Sequence, residues 1–422
     1  MNCRIQVTFL ILFMTSMLFA DPTYVIVDTG QTKCYDNVQE LAAPPETGKP
    51  FHGQDAQYEG NPPAYQNNGD GTVTDLNTGL MWQKQTASKV TWNEAAAGAE
   101  KCRLAGHHDW RLPTIKELYS LILFCGIEPR PNQQVKSEQK IRPFIDTTYF
   151  DFKYGDPTEG NRIIDAQYWS STQYVSTTMM GNKTAFGVNF ADGRIKGYPC
   201  DLIGPPGRQH PARPQFVRYV RGNPDYGKNR FVDNKNGTIS DLATSLMWIK
   251  QDSKKAMNWQ DALRYAESLE YAGYSDWRLP NAKELQSIVD YSRSPRTTGS
   301  AVIDPLFDIS EITDEGGKTN YPYFWTSTTH VSAANHRGSA NSAVYLAFGE
   351  ALGYMKIPPW ATDYQLLDVH GAGAQRSDFK AGDPMQFPLG RGPQGDIIRI
   401  YNYVRCVRTD NAKLRNTSLK SK

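Results

Sequence analysis

The 422-residue chain contains no Gly-x-Ser-x-Gly, no His-Glu-x-x-His and no phosphate loop. The usual marks of serine hydrolases, zinc peptidases and nucleotide-binding enzymes are therefore missing. Charge of one sign is missing too: 46 Lys and Arg stand against 44 Asp and Glu, a formal net charge of +2. That balance gives no generic attraction to nucleic acid or membrane surfaces. The six cysteines include no Cys-x-x-Cys, which argues against a structural zinc site. Carboxylates are plentiful, but no pair is singled out as acid and base, and His107-His108 has no counterpart later in the chain, where Tyr274-Ser275 stands. The expectation is a protein that is not an enzyme and has no nucleic-acid partner.

Long hydrophobic runs are confined to the start. Arg4 precedes a mostly apolar stretch, Ile5 to Phe19, broken by Gln6, Thr8, Thr15 and Ser16, and Ala20 comes before Asp21-Pro22. This reads as a secretory signal over residues 1–20, with an uncleaved anchor as the alternative. Cys3 lies before the run, so no acylation signal is present. The mature chain is expected to be exported, to the periplasm, the cell surface or the medium, with no membrane span. Cleavage leaves Cys34, Cys102, Cys125, Cys200 and Cys406. In an oxidising compartment most should pair, and an odd number leaves at least one free or intermolecular.

What the chain does have is a repetition. Residues 69–82, Gly-Asp-Gly-Thr-Val-Thr-Asp-Leu-Asn-Thr-Gly-Leu-Met-Trp, return at 235–248 as Lys-Asn-Gly-Thr-Ile-Ser-Asp-Leu-Ala-Thr-Ser-Leu-Met-Trp. Asp109-Trp110-Arg111-Leu112-Pro113 returns as Asp276-Trp277-Arg278-Leu279-Pro280. Trp169-Ser170-Ser171-Thr172 returns as Trp325-Thr326-Ser327-Thr328, and Val217-Arg218-Tyr219-Val220-Arg221 as Val404-Arg405-Cys406-Val407-Arg408. Common order means tandem duplication. The domains are placed at 61–222 and 229–410, after an extended segment at 21–60 that matches neither and before a basic tail at 411–422. The connector, from Gly222 to Gly227, is short enough that the two should touch.

Each repeat opens as a hairpin, with Asn-Asn-Gly-Asp-Gly turn chemistry before Thr72. Two helices follow. Thr91-x-x-Glu94 and Thr114-x-x-Glu117 are capping boxes in the first copy; Asn258-x-x-Asp261 and Asn281-x-x-Glu284 stand in their places in the second. Apolar residues then recur at helical spacing, and Gly106 and Gly273 are expected to end the first helix of each copy. The rest of each repeat reads as short strands among long polar loops.

The Asp-Trp-Arg-Leu-Pro block has two readings. Trp110 and Arg111, with Trp277 and Arg278, could form a ligand platform. The preferred reading is structural: the indole is buried and the guanidinium meets backbone carbonyls or the capping carboxylates Glu117 and Glu284. Asn67, Asp70 and Asp75 are oxygen donors at short spacing that suggest calcium, but Lys235 interrupts the second copy, and a turn explains both. No metal or other cofactor is expected. The loops offer the ligand candidates. Arg194, Lys196, Arg208, Arg213, Arg218 and Arg221 stand against Asp201 alone, an anion-binding face or simply solvated arginines. Tyr354, Trp360, Asp363 and Tyr364 suit sugars, because rings stack on sugar C–H faces while acids bind hydroxyls; core packing is the alternative for Trp360.

The motif order Asp-Gly-Thr-Val-Thr-Asp, Gly-Leu-Met-Trp, Trp-x-x-Ala, Asp-Trp-Arg-Leu-Pro-Thr, Glu-Leu, Trp-Ser-Ser, Val-Arg-x-Val-Arg resembles the domain of unknown function 1566. That domain is also called the C-terminal domain of the Legionella collagen-like adhesin. The resemblance covers both repeats. It implies an α+β fold, two tandem C-type-lectin-like domains, each with two helices on a twisted antiparallel sheet and long loops that carry the ligand surface. It also implies a bacterial binding or adhesion protein that recognises a glycan, an anionic, glycosaminoglycan-like one included, or a surface protein. The alternative is a structural or assembly protein of the cell envelope that docks a protein partner. No collagen-like stretch precedes the domains, so collagen-driven trimerisation is not supported. Members often carry a cysteine in the first helix and another in the last strand; here Cys102 faces Tyr219 and Cys406 faces Leu269. Cys102 with Cys125 and Cys34 with Cys200 are the pairings then open, leaving Cys406. The formylglycine-generating enzymes share the broad fold but need a reactive cysteine pair that this chain lacks. Ligand contacts are expected in residues 173–215 and 329–400.

Overall fold

The structure, a computed structural model, describes residues 22–130, 141–204, 209–333, 339–358 and 360–410. The expected leader, the basic tail and Arg208 lie outside these residues. The architecture is α+β, mostly antiparallel sheet with short helices. No helix among the described residues is long and apolar enough to cross a membrane.

Each repeat first builds a small sheet. Strands Tyr65–Asn67, Thr72–Asp75 and Leu80–Gln83 are closed by Val220–Gly222 from the end of the repeat. Phe231–Asp233, Thr238–Asp241, Leu246–Ile249 and Val407–Thr409 repeat the arrangement. Helix α1 (Trp92–Lys101) and helix α2 (Ile115–Ser120) belong to the first copy, and α3 (Trp259–Glu267) and α4 (Ala282–Ser287) to the second. The Thr91, Thr114 and Asn281 caps each form both reciprocal bonds with the glutamate three residues on, while Asn258 accepts from Asp261 N–H. Gly106 and Gly273 fall beyond the helices they were expected to end. α1 stops at Lys101 and α3 at Glu267; each glycine turns the chain a few residues later with positive φ. Removing the α2 cap with Thr114→Ala should lower stability by ~1 kcal/mol, read as a shift of the urea midpoint. An unchanged midpoint would mean that Glu117 alone secures the helix start.

The indoles show how closely the copies agree. Trp169 donates to Val90 O and Trp325 to Met257 O, both at 2.9 Å. Trp92 donates to Ser170 O and Trp259 to Thr326 O. Trp110 donates to Leu104 O and Trp277 to Tyr271 O, both at 3.1 Å.

Polarity after the short Trp169-Ser170-Ser171 strand predicts loops, but that strand runs over Gln167–Thr178 and Asn182–Asn189 forms a second long one. Their polar side chains find partners inside the sheet: Ser170 Oγ donates to Phe186 O at 2.6 Å, and the Thr178 and Thr184 hydroxyls pair at 2.7 Å. With Arg194–Pro199 they form half of a six-stranded sheet. The other half comes from the second repeat: Tyr323–His330, Ser342–Ala347 and Gln375–Phe379. The halves meet edge to edge, antiparallel, at Gln375 and Ile195. At this joint Gly197 N donates to His370 O, and a Cβ on Gly197 would lie 2.6 Å from that oxygen, so only glycine fits.

The contact between repeats is reciprocal. Lys116 of α2 donates to Ser287 O at the end of α4, and Lys283 of α4 donates to Ser120 O at the end of α2. The same residue of each copy reaches the same carbonyl of the other, the self-complementary pattern of a two-fold dimer. Burial pulls both ammonium groups down to about 8.

The segment preceding the first repeat is a buried strap. Tyr24 and Val27 join the core. Gln31 accepts from Thr329 N–H and donates to Thr329 O, both at 2.8 Å, at the irregularity in strand Tyr323–His330. Asp55 accepts from Thr29 Oγ at 2.7 Å and Thr328 Oγ at 2.6 Å, and Tyr58 donates to Glu267.

Candidate functional site

Two concave regions stand out, one at the joint between the sheet halves and one on the second repeat. Antiparallel pairing of Ile195 with Gln375 sets Arg194 opposite Arg376 on one sheet face, with Lys196 on the same side. Arg376 is buried, Arg194 and Lys196 are partly buried, and all three are paired. Arg194 forks onto Glu128 and donates to Ser377 Oγ at 3.0 Å; Lys196 meets Asp192 at 2.8 Å; Arg376 meets Asp396. His370 lies 2.8 Å from the other oxygen of Asp396, and His330 Nε2 lies 2.8 Å from Asp192 O. Burial, then the neighbouring arginines, pulls both imidazoles down to about 4, so both are neutral at pH 7. Burial pushes Asp396 up, but Arg376 and His370 together more than offset this and hold it far below the carboxylate range. A cavity of about 230 Å³ opens among these groups.

The second region is a groove of about 480 Å³ on repeat two. Tyr354, Tyr401, Tyr403, Phe387 and Met385 line it, with Glu315 and Arg399 among them. Arg399 donates to both Glu315 oxygens, at 2.8 and 3.0 Å, and stacks 3.9 Å from the Tyr323 ring centroid. Burial raises the Glu315 carboxyl, yet the bonds from Arg399 outweigh burial and leave it below its ordinary range. Arg399 Nη1 is buried without a hydrogen-bond partner. Tyr401 is 45% and Met385 80% exposed, so the rim is open to a ligand.

The candidate residues read from sequence separate on the structure. Arg194 and Lys196, expected on an anion-binding surface, are partly buried at the joint and paired with carboxylates. The expected basic face is thereby divided: Arg218 and Arg221 are also engaged, Arg218 with carbonyls of Gln83, Lys84 and Asp151 and Arg221 with Asp109, while Arg213 is exposed. Tyr354 lines the groove. Trp360 is 83% exposed, which corrects the core-packing alternative; Asp363 and Tyr364 are exposed as well, with Lys356 5.0 Å over the Tyr364 ring. Trp110 and Trp277 are buried. Arg111 bonds Glu117 at 2.6 Å and Gly222 O at 3.0 Å, and Arg278 forks onto Glu284. These six residues lie in scaffold contacts.

The side chains weighed for calcium each accept turn hydrogen bonds, while Asp75 Oδ2 is buried without a partner. Asn67 accepts from Gly69 N–H, Asp70 from Thr72 and Asp75 from Asn77 and Thr78. The second copy does the same through Asp233, Asn236 and Asp241. The expected disulfides are absent, since all five described cysteines are free. Cys102 and Cys200 pack in the cluster around Trp110 and Tyr219, and Cys406 in the matching cluster around Trp277.

Glu128, Arg376, Asp396, Glu315 and Arg399 were missed in the sequence. They come from segments far apart in the chain, and no local spacing joins them. Tyr401 and Tyr403 lay outside the interval singled out for ligand contacts. The Lcl C-terminal domain family matches residues 71–221 and 237–363 of the chain, more than half its length. No curated protein and no solved structure matches it.

Proposed function

Because the chain belongs to the Lcl C-terminal domain family, in two tandem copies, we propose that it is an exported, non-enzymatic binding protein that recognises a glycan through the groove on its second repeat. We read each copy as a C-type-lectin-like domain, as the family resemblance implies. The observation that carries the functional reading is the meeting of open tyrosines with a charged pair. Tyr354, Tyr401 and Tyr403 surround Glu315 and Arg399. Rings of this kind cover the apolar faces of a sugar, the carboxylate accepts from hydroxyls, and the unpartnered Arg399 Nη1 donates to one. The charged residues here form a closed pair, which favours a neutral sugar over the anionic glycan that the loop charges suggested.

The test is a glycan array probed with the mature chain, followed by titration of the best ligand. Tyr401→Ala should weaken binding by about tenfold, the value of one lost stacking contact, while leaving the unfolding curve unchanged. A blank array, or full affinity in the variant, would refute the reading. One observation favours a protein partner instead: Met385 and Trp360 are 80% and 83% exposed. Large exposed apolar side chains suit a docking surface, and an envelope protein that co-purifies with the wild type but not with Met385→Asp would support that alternative.

A further inference from the structure

The joint between the two halves of the central sheet holds polar atoms that the protein itself leaves unserved. Arg376 is 9% exposed and lines the cavity there; its Nη2 meets Asp396, but Nε and Nη1 are buried with no hydrogen-bond partner. Buried donors of this kind are rare because each costs its full desolvation. Across the strand pair stands Arg194, a like charge where proximity is unfavourable. The nearby carboxylates are already committed: Glu128 to Arg194, Asp396 to Arg376 and His370, and one oxygen of Asp192 to Lys196. Asp192 is among the residues around the same cavity, and its other oxygen, Oδ1, is also buried without a partner. The residues around one cavity therefore include a cation with unpaired donors and an anion with an unpaired acceptor.

We infer that this cavity is a binding site for a small hydroxycarboxylate, whose carboxylate accepts from Arg376 and whose hydroxyl donates to Asp192. At about 230 Å³ the space admits a molecule of a few carbons. Neither repeat alone can form it. Arg194, Lys196 and Asp192 come from the first copy, Arg376 and Asp396 from the second, so ligand binding would brace the joint. The site adjoins the proposed sugar groove through Ile397 and Ile398, but it uses different polar groups and does not depend on that reading.

Titration calorimetry and thermal unfolding of the mature chain with glycerate and with propionate, at constant ionic strength, test the assignment. Glycerate should bind saturably and raise the melting temperature by roughly 2–4 °C when present well above its dissociation constant. Propionate, which lacks the hydroxyls, should bind at least about tenfold more weakly because Asp192 Oδ1 is left unpaired. Arg376→Lys keeps a cation beside Asp396 but loses Nε and Nη1, and should weaken glycerate binding at least about tenfold. Tyr401→Ala should leave glycerate binding unchanged. No saturable glycerate binding to the wild type, or equal binding of glycerate and propionate, would overturn the inference. Should Arg376→Lys fail to fold, the wild-type comparison of the two acids still decides it.

Discussion

Arg405→Met is expected to destabilise the protein by ~3–5 kcal/mol. The guanidinium is buried, and it donates to Ile249 O at 2.9 Å, to Lys250 O and to Asp308 O at 2.8 Å, with the Phe307 ring 5.1 Å away. Burial pulls its pKa down to about 10. Methionine fills similar space but leaves three carbonyls without their donor, and each buried acceptor lost costs on the order of 1 kcal/mol or more. Arg405→Lys should fall in between, because one ammonium cannot span carbonyls that a planar fork reaches together. Arg408, three residues on, provides the control. Its own side chain is buried, but it pairs with Asp276, whose side chain is 55% exposed and regains water when the arginine is lost, so Arg408→Met should cost less, about 1–2 kcal/mol. Urea unfolding of the three variants checks the order. An Arg405→Met cost no greater than that of Arg408→Met would show that the carbonyl contacts contribute little.

That pair of arginines also shows why so much of the scaffold was legible in the sequence. The repeated motifs are one another's partners. Arg221 and Arg408 close on Asp109 and Asp276, and Arg111 and Arg278 bond the capping glutamates six residues on. Caps, turns and these pairs are local, or lie at the ends of one repeat, so residue type and spacing reveal them. The binding regions obey no such rule. Arg194 meets Glu128 across 66 residues and Ser377 across 183, and only the edge-to-edge pairing of the two sheets brings them together. Polar strands such as Asn182–Asn189 read as loops because their hydrogen-bond partners belong to the sheet, which periodicity alone does not reveal. The strap did carry a signal: Tyr24-Val25-Ile26-Val27 is apolar, and its first and last residues are core. Its proline-rich remainder concealed this.

The strap leads to the second large effect. Asp55→Asn should gain stability relative to the wild type as pH rises, by roughly 2–3 kcal/mol between pH 5 and pH 9. Burial pushes the Asp55 carboxyl up to about 7; hydrogen bonds from Thr328 and Thr29 oppose this, while Asp28 and Glu284 nearby reinforce it. In the unfolded chain the same group titrates near 4. The folded state therefore holds the proton more tightly. The resulting stabilisation is complete below about pH 4 and is lost as pH rises through 7, where the strap must keep a charge buried beside Thr328. Asparagine has the same shape, still accepts from both hydroxyls through its amide oxygen, and never ionises. At pH 5 the variant should lie within about 1.5 kcal/mol of the wild type, and the gap should then move in its favour. Lys283 also senses Asp55, so Lys283→Met in both backgrounds separates its titration from that of the carboxyl. Urea midpoints measured across this pH range decide the matter. Parallel curves for wild type and variant would mean that Asp55 is ionised in the fold at neutral pH, and that the strap is held through a charged rather than a neutral contact.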